Sequence, residues 1–257
     1  MLLIEHNASV DLAAKDGWTA LHFASQKGHL DFAKLLIEHK ASVDLATKDG
    51  RTALHLALEK GHLIIARQLI EHKASVDLAT KDGRTTLHLA AQVGELDIVQ
   101  LLIEHNISIN QATKYGRTAL HCASEQGWLN IVQLLIKHNT SIKQATKNGR
   151  TALHLASEKG HLDIAQLLIR HGASVDQAIE DGRTALHLAS EKGHLGIAQL
   201  LIKHDASIDQ ATEDGSTALH LASRNGNLNV VQLLIVHGAS QGAGPQIRGK
   251  DLSEKSF

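Results

Sequence analysis

The sequence predicts an all-α solenoid, a stack of short helix pairs, and three observations carry that prediction. One series of glycines recurs every 33 residues from Gly17 to Gly215, and a second, from Gly28 to Gly226, follows 11 residues behind it. The stretch from Gly149 to Leu162 reappears letter for letter from Gly182 to Leu195. Apolar residues between the glycines have helical spacing. Such a period indicates stacked units, because one helix pair cannot bury both of its faces alone.

The unit from Asp181 to His204 shows the predicted elements in order. Asp181-Gly182 is a turn, since glycine tolerates a positive φ. Thr184 lies where a helix N-cap belongs, with its hydroxyl able to accept from the N–H of His187. A first helix with small apolar residues runs to Gly193, and a longer second helix follows. We expect the buried stripe of that second helix to consist of Leu195, Ala198, Leu201 and Ile202.

These units resemble the ankyrin repeat pattern G-x-T-P-L-H-x-A-A-x-x-G-H-x-x-(I/V)-x-x-L-L-x-x-G-A-x-(V/I)-(N/D), over roughly residues 1–240. The resemblance implies an α/α superhelix in which each unit has a short β-hairpin finger and two antiparallel helices. It also implies that fingers and first helices line a concave face. We therefore predict an N-terminal partial repeat (residues 1–14), seven full ankyrin repeats (residues 15–240) and a disordered polar tail (residues 241–257).

Departures from the family pattern concern helix ends and the ends of the array. Alanine or threonine replaces the signature proline in every unit. After the second helix only Gly172 and Gly238 keep the usual glycine, and we expect Lys40 and Lys73 to be strained in a left-handed conformation there. Val236 replaces a residue that is charged in several repeats. We therefore expect a piece of a longer array, or self-association through uncapped ends.

Composition restricts the possible binding partners and the cellular compartment of the chain. Lys plus Arg (26) balances Asp plus Glu (27), and the pI is about 7.0, so no global field draws the chain onto nucleic acid or an anionic membrane. Cys122 is the single cysteine, which rules out a disulfide framework and fits a reducing interior. We see no signal peptide or membrane span. We expect a cytoplasmic protein, with the nucleus as an alternative, and no membrane insertion.

The nineteen histidines all occupy repeat positions, which favours structural roles over metal binding. The resemblance implies that seven of them bond to finger backbone; eight end second helices, and four open them. Adding nineteen positive charges to a net charge of −1 gives +18, so we predict lost solubility or stability near pH 5 to 6. No nucleophile elbow, Walker loop, HExxH or GxGxxG motif appears. We predict no enzyme activity, catalytic residue, cofactor or metal.

Candidate binding residues lie at the fingertips and at the ends of the first helices. One equivalent fingertip position holds Trp18, Arg51, Arg84, Arg117, Arg150, Arg183 and Ser216. The arginines have three interpretations: solvated and locally paired, facing an acidic protein, or facing phosphates, with nucleic acid the least favoured. Variation among the repeats concentrates in the middle of the array, where Val93, Tyr115 and Gln126 are expected to cluster with Arg117 across the third and fourth units. Exposed aromatic residues and arginine are common interface anchors.

Two single residues complete the predictions. Trp128 replaces the usual helix-opening histidine, and we expect it away from the concave face, packed against a neighbouring loop. The resemblance implies that Asn110 occupies a position where ankyrin repeats can be β-hydroxylated. The leading hypothesis is a non-catalytic scaffold or adaptor that binds another protein. The alternative is a fragment of a larger ankyrin-array protein with a mechanical, membrane-skeleton-linking or toxin role.

Overall fold

The computed structural model describes residues 9–240, which form fourteen α-helices in seven consecutive pairs. The chain divides into two compact units, Met1–Ser141 with four pairs and Ile142–Phe257 with three. We number the repeats 1 to 7 by these pairs. The helices are α1 (Ala20–Lys27), α2 (Leu30–Glu38), α3 (Ala53–Glu59), α4 (Leu63–Glu71), α5 (Thr86–Val93), α6 (Leu96–Glu104), α7 (Ala119–Gln126), α8 (Leu129–Lys137), α9 (Ala152–Lys159), α10 (Leu162–Arg170), α11 (Ala185–Lys192), α12 (Leu195–Lys203), α13 (Ala218–Arg224) and α14 (Leu228–Val236).

Each first helix begins with a reciprocal cap between a threonine and the histidine three residues later. In repeat 2 the N–H of His55 donates to the hydroxyl of Thr52 at 3.4 Å, and the N–H of Thr52 donates to Nδ1 of His55 at 3.3 Å. Histidine thus does here what glutamate does in the usual capping box. The predicted cap at Thr184 is confirmed, because Thr184 and His187 form the same arrangement.

Each second helix ends in a residue with left-handed backbone conformation. Lys40 and Lys73 both have φ of 63°, in the position where Gly172 has φ of 88°. Asparagine or aspartate fills the position in three other repeats. The predicted left-handed conformation of both lysines is therefore confirmed, and a Cβ there carries a conformational cost that glycine avoids.

Within each unit, the helices of neighbouring repeats pack in register. In the first unit α1 packs on α3, α3 on α5 and α5 on α7, and in the second α9 packs on α11 and α11 on α13. Fully buried alanines such as Ala90 and Ala189 allow the first helices this close approach. The predicted helix pairs of an all-α solenoid are confirmed.

The predicted buried stripe of α12 is partly wrong. Ile197, Ala198 and Leu201 are fully buried, whereas Leu195 and Ile202 are half-buried. The stripe is wider than one helix face predicts, because α12 contacts both its own first helix and a second helix on either side. The first eight residues, with most of the predicted partial repeat and His6, and the predicted tail, residues 241–257, lie outside the described part of the chain.

The predicted β-hairpin fingers are not confirmed. One isolated bridge, Ala79 to Thr85, is the extent of strand pairing between residues 9 and 240. In repeat 2 the N–H of Thr47 donates to the carbonyl of Arg51 at 2.9 Å, but the return bond from the N–H of Arg51 goes to the hydroxyl of Thr47 at 3.1 Å. A side chain thus replaces the backbone acceptor of a hairpin ladder, and the finger is a tight turn.

Candidate functional site

Backbone hydrogen bonds set the spacing of neighbouring fingers. The N–H of Lys81 donates to the carbonyl of Asp49 at 2.9 Å, and the N–H of Lys114 donates to the carbonyl of Asp82 at 2.9 Å. A Cβ at Gly50, whose φ is 83°, would lie 3.0 Å from the backbone nitrogen of Lys81, so both φ and close approach require glycine. Fingertip side chains within a unit are therefore held in a regular row.

Signature histidines of one repeat hold the finger of the next. Nε2 of His88 donates to the carbonyl of Arg117 at 2.9 Å, and Nε2 of His22 donates to the carbonyl of Arg51 at 3.2 Å. Burial lowers the pKa of His88, although the carbonyl of Arg117 opposes that effect. An imidazole thus fixes the backbone from which Arg51 and Arg117 project.

The fingertip arginines reach the residue eight positions further on, at the end of their own first helix. Nε of Arg51 lies 3.1 Å from Oε1 of Glu59, and NH1 of Arg183 lies 3.1 Å from Oε2 of Glu191. The same spacing joins Arg117 to Glu125 and Arg150 to Glu158. In repeat 3 the partner is an amide, since Arg84 donates to Oε1 of Gln92.

Local pairing was one interpretation of the fingertip arginines from sequence alone. Two of them pair with the aspartate of their own finger. Arg51 contacts Asp49, and Arg183 lies 2.7 Å from Asp181. In repeat 5 the equivalent finger residue is Asn148, which accepts from the hydroxyl of Thr146 at 2.6 Å. Sequence reasoning missed the partners eight residues on, although an arginine followed by glutamate at that spacing recurs in four repeats.

One cavity of about 250 Å³ brings together part of the predicted cluster in repeats 3 and 4. Arg84, Tyr115 and Arg117 line it, with Asp82, His88, Gln92, Thr113, Cys122 and Glu125. Tyr115 is 58% exposed, and the ammonium group of Lys114 lies 5.0 Å from its ring centroid. Val93, half-buried at the end of α5, and Gln126, exposed at the end of α7, do not line it.

Electrostatics in this cavity are dominated by ion pairs at partly buried groups. Burial alone lowers the pKa of Arg117, but its hydrogen bond to Glu125 and the nearby charge outweigh burial and raise it. Burial raises the pKa of the Cys122 thiol, with Arg117 opposing. The thiol therefore stays protonated near neutral pH. Across residues 9–240, no three histidine, cysteine, aspartate or glutamate side chains gather as metal ligands.

At the equivalent fingertip position, repeats 1 and 7 have Trp18 and Ser216 instead of arginine. Trp18 is half-buried and its ring centroid lies 4.9 Å from that of Phe23. Ser216 is buried, and its N–H donates to the hydroxyl of Thr212 at 3.0 Å. The ring of Trp18 is therefore partly accessible and packs on Phe23, whereas Ser216 is buried within its own turn.

Trp128 lies where the sequence predicts, against the loop of the preceding repeat. Its Nε1 donates to the carbonyl of Gln92 at 3.1 Å, and its ring covers Gly94 so closely that a Cβ there would collide with it. His62 and His194 make the equivalent bonds 36 residues back, to the carbonyls of Gln26 and Glu158. We call this contact of Trp128 with Gln92 and Gly94 the clasp. The sequence did not predict its hydrogen bond, because two helices separate Trp128 from Gln92.

Asn110 takes part in a second contact between repeats. Its Oδ1 accepts from the N–H of Ser141 at 2.8 Å and from the hydroxyl of Thr140 at 3.2 Å. Asp44 makes the equivalent bond to the N–H of Ser75 at 2.8 Å. The position therefore has a structural role, and hydroxylation of Asn110 stays a prediction.

Comparison with known families identifies the class of protein. The family described as ankyrin repeats (3 copies) matches residues 40–113, 110–179 and 174–244, and the family described as ankyrin repeats (many copies) matches residues 3–57. The chain belongs to the ankyrin repeat family. Ankyrin repeats generally mediate protein–protein interaction, and the family is typically non-enzymatic. A search of curated proteins finds no match to the chain. None of the helices α1 to α14 is long and apolar enough to cross a membrane.

Proposed function

We propose that this chain is a non-catalytic scaffold or adaptor that binds another protein through its fingertips and the ends of its first helices. The candidate residues are Trp18, Arg51, Arg84, Val93, Tyr115, Arg117, Gln126, Arg150 and Arg183. The observation that carries this proposal is the cavity in repeats 3 and 4, where an exposed tyrosine and two arginines face solvent together. Exposed aromatic and arginine side chains are frequent anchors of protein interfaces.

The near-identity of the repeats supports this choice of residues. Residues shared by most repeats already serve the fold: the threonine and histidine of each cap, the finger glycine, and the buried residues of both helices. Tyr115 departs from the repeat and is exposed, so the fold does not explain it. A binding role accounts for side chains that the array leaves without structural work.

Crosslinking pull-down with the wild type beside a Tyr115→Ala/Arg117→Ala variant tests the proposal. We expect the variant to lose one partner selectively while it keeps the wild-type melting midpoint. A Gln133→Ala/Gln199→Ala variant, altered at two exposed second-helix positions, is the matched control and should keep that partner. An unchanged list of partners for Tyr115→Ala/Arg117→Ala would count against the proposal.

The exposed face of repeat 1 favours a second candidate, a segment of a longer array or of a self-associating one. Phe32 is 65% exposed, whereas the equivalent Ile65 is 2% exposed. Phe23 is 49% exposed, whereas the equivalent Leu56 is 2% exposed. In repeat 2 these two positions are covered by a neighbouring repeat, whereas in repeat 1 their side chains are exposed. Sedimentation velocity should show concentration-dependent association that Phe32→Lys reduces, and a monomer at every concentration would argue against stacking.

We also propose a cytoplasmic or nuclear location, which rests on the single, buried Cys122. Asn106 and Asn139 each begin a glycosylation sequon and are exposed. N-glycans at either residue in the native protein would contradict this location. For Asn110, mass spectrometry of the native protein should find a peptide heavier by one oxygen atom if that residue is hydroxylated.

A further inference from the structure

We propose that the cavity in repeats 3 and 4 binds an acidic side chain, aspartate or glutamate, of the partner protein. The inference rests on the proposed protein-binding function and specifies the chemistry of what is bound. It is based on the way in which these two repeats depart from the charge pairing of repeats 2 and 6.

Two carboxylates that occur in other repeats are replaced by neutral residues that line this one cavity. Arg51 has two carboxylate partners, Asp49 and Glu59, and Arg183 likewise has Asp181 and Glu191. In repeat 3 the residue at the helix end is Gln92, and in repeat 4 the fingertip aspartate is replaced by Tyr115.

The two arginines of the cavity consequently have fewer anionic partners than Arg51 or Arg183. Arg84 donates to the neutral amide of Gln92 and has no carboxylate of residues 9–240 within ion-pair distance, while Arg117 pairs with Glu125. Asp82, in the same finger as Arg84, bonds to the hydroxyl of Thr80 at 2.5 Å. An incoming carboxylate can therefore form with Arg84 the ion pair that the neutral amide of Gln92 does not supply.

Shape and surroundings favour one carboxylate over a chain of phosphates. The cavity of about 250 Å³ has room for one acidic side chain and several waters. Asp82 and Glu125 line it too, and their repulsion grows with each negative charge that enters, so it opposes a chain of phosphates more than one carboxylate. Arg51, Arg150 and Arg183 are already paired with carboxylates, so the row lacks the series of available cations that a nucleic acid needs. The exposed ring of Tyr115 offers apolar contact beside the charge.

Gln92→Glu is the variant that tests this inference, because it restores at repeat 3 the pair found in repeats 2, 4, 5 and 6. Glutamate occupies this position in four repeats, so the variant is expected to fold. Gln199→Glu adds the same charge at an exposed position of α12 and is the matched control. A random displayed peptide library is panned on the full-length wild-type chain, and recovered peptides are measured on all three proteins.

We expect the recovered peptides to share an acidic residue and to bind Gln92→Glu about tenfold more weakly than wild type or Gln199→Glu. Peptides that lack a shared acidic residue but lose binding to Tyr115→Ala/Arg117→Ala would overturn the acidic ligand and leave the protein-binding function intact. Binding of a single-stranded oligonucleotide, lost in Gln92→Glu, without acidic peptides would overturn it in favour of phosphate. Recovery of no binding peptide also counts against it.

Discussion

The Nε2 atom of His154 donates a hydrogen bond of 2.9 Å to the carbonyl oxygen of Gln177, in the finger of the next repeat. Its Nδ1 atom accepts from the N–H of Thr151 at 3.1 Å. This pair of bonds needs a neutral imidazole with its proton on Nε2, because a second proton would point Nδ1–H at another donor. Burial lowers the pKa of His154 from 6.5 to about 4, while the carbonyl of Gln177 opposes that effect.

Stability is therefore expected to fall as the pH drops from about 6.5 towards 4. The unfolded chain takes up a proton at His154 near its ordinary pKa, whereas the folded chain does so only near pH 4. Each pH unit in that window costs about 1.4 kcal/mol, or about 3 kcal/mol in all from this residue. Burial also lowers the pKa of His22, His55, His88 and His187, which adds in the same direction.

Urea denaturation at about pH 7.5, 6 and 5 measures this effect. His154→Gln should be less stable at neutral pH but should show a shallower pH dependence than wild type. His171→Gln, at the exposed end of α10, is the control and should keep the wild-type dependence. Midpoints that stay constant from pH 7.5 to 5 would refute the prediction.

The left-handed helix ends give a second prediction. Lys40→Gly and Lys73→Gly should each raise the free energy of unfolding by about 1 kcal/mol, because glycine reaches a φ near 63° without the Cβ penalty. The reverse change, Gly172→Lys, should lower it by a similar amount. Nothing lies within 4 Å of a Cβ at Gly172, so conformation alone decides that result. Chemical denaturation of the three variants checks both signs, and lysine variants with unchanged or lower midpoints would contradict the argument.

Buried serine hydroxyls in the first helices give a third prediction. Oγ of Ser157 is buried without a hydrogen-bond partner, and Ala91 fills the equivalent position in repeat 3, also fully buried. Ser157→Ala should therefore raise the free energy of unfolding by about 1 kcal/mol, since it removes an unsatisfied polar group and leaves hardly any cavity. The exposed Ser223 supplies the control, and Ser223→Ala should change little. A destabilised Ser157→Ala, measured by urea denaturation, would show that its hydroxyl is paired in solution.

The helix pairs and caps were predictable because they depend on local sequence. A threonine cap, a glycine and helical spacing recur within each unit, so the 33-residue period locates every helix. The finger hairpin, implied by family resemblance, is not confirmed in repeat 2, where the hydroxyl of Thr47 replaces a backbone acceptor. In repeat 3 the hydroxyl of Thr80 accepts the same bond from the N–H of Arg84, although the isolated bridge lies in that finger. Bonds of this kind depend on side-chain rotamers, which the pattern does not specify.

The site was predictable in composition but not in its contacts. Tyr115 stood out as a departure from the repeat and Arg117 as a fingertip arginine, and both line one cavity with Arg84. The partners of the arginines were missed, because an arginine reaches eight residues on only when the finger folds back over its own first helix. Val93 is the last residue of α5 and Gln126 the last residue of α7, but neither lines the cavity.

The clasp formed by Trp128 gives the last prediction. Trp128→Ala should lower the free energy of unfolding by about 1 to 2 kcal/mol, because it removes the indole hydrogen bond to Gln92 and the ring that covers Gly94. Trp128→His should lose much less, since His62 makes the same bond to Gln26 at 3.2 Å in repeat 2.

Denaturation midpoints of Trp128→Ala and Trp128→His, measured side by side, separate the clasp from a surface role. If Trp128 were a solvated surface residue, both variants would match the wild type. If it anchored a partner instead, both would lose that partner in a pull-down with no change in midpoint. The clasp alone predicts a stability ranking of wild type, then histidine, then alanine, since histidine keeps the bond and covers the glycine with a smaller ring.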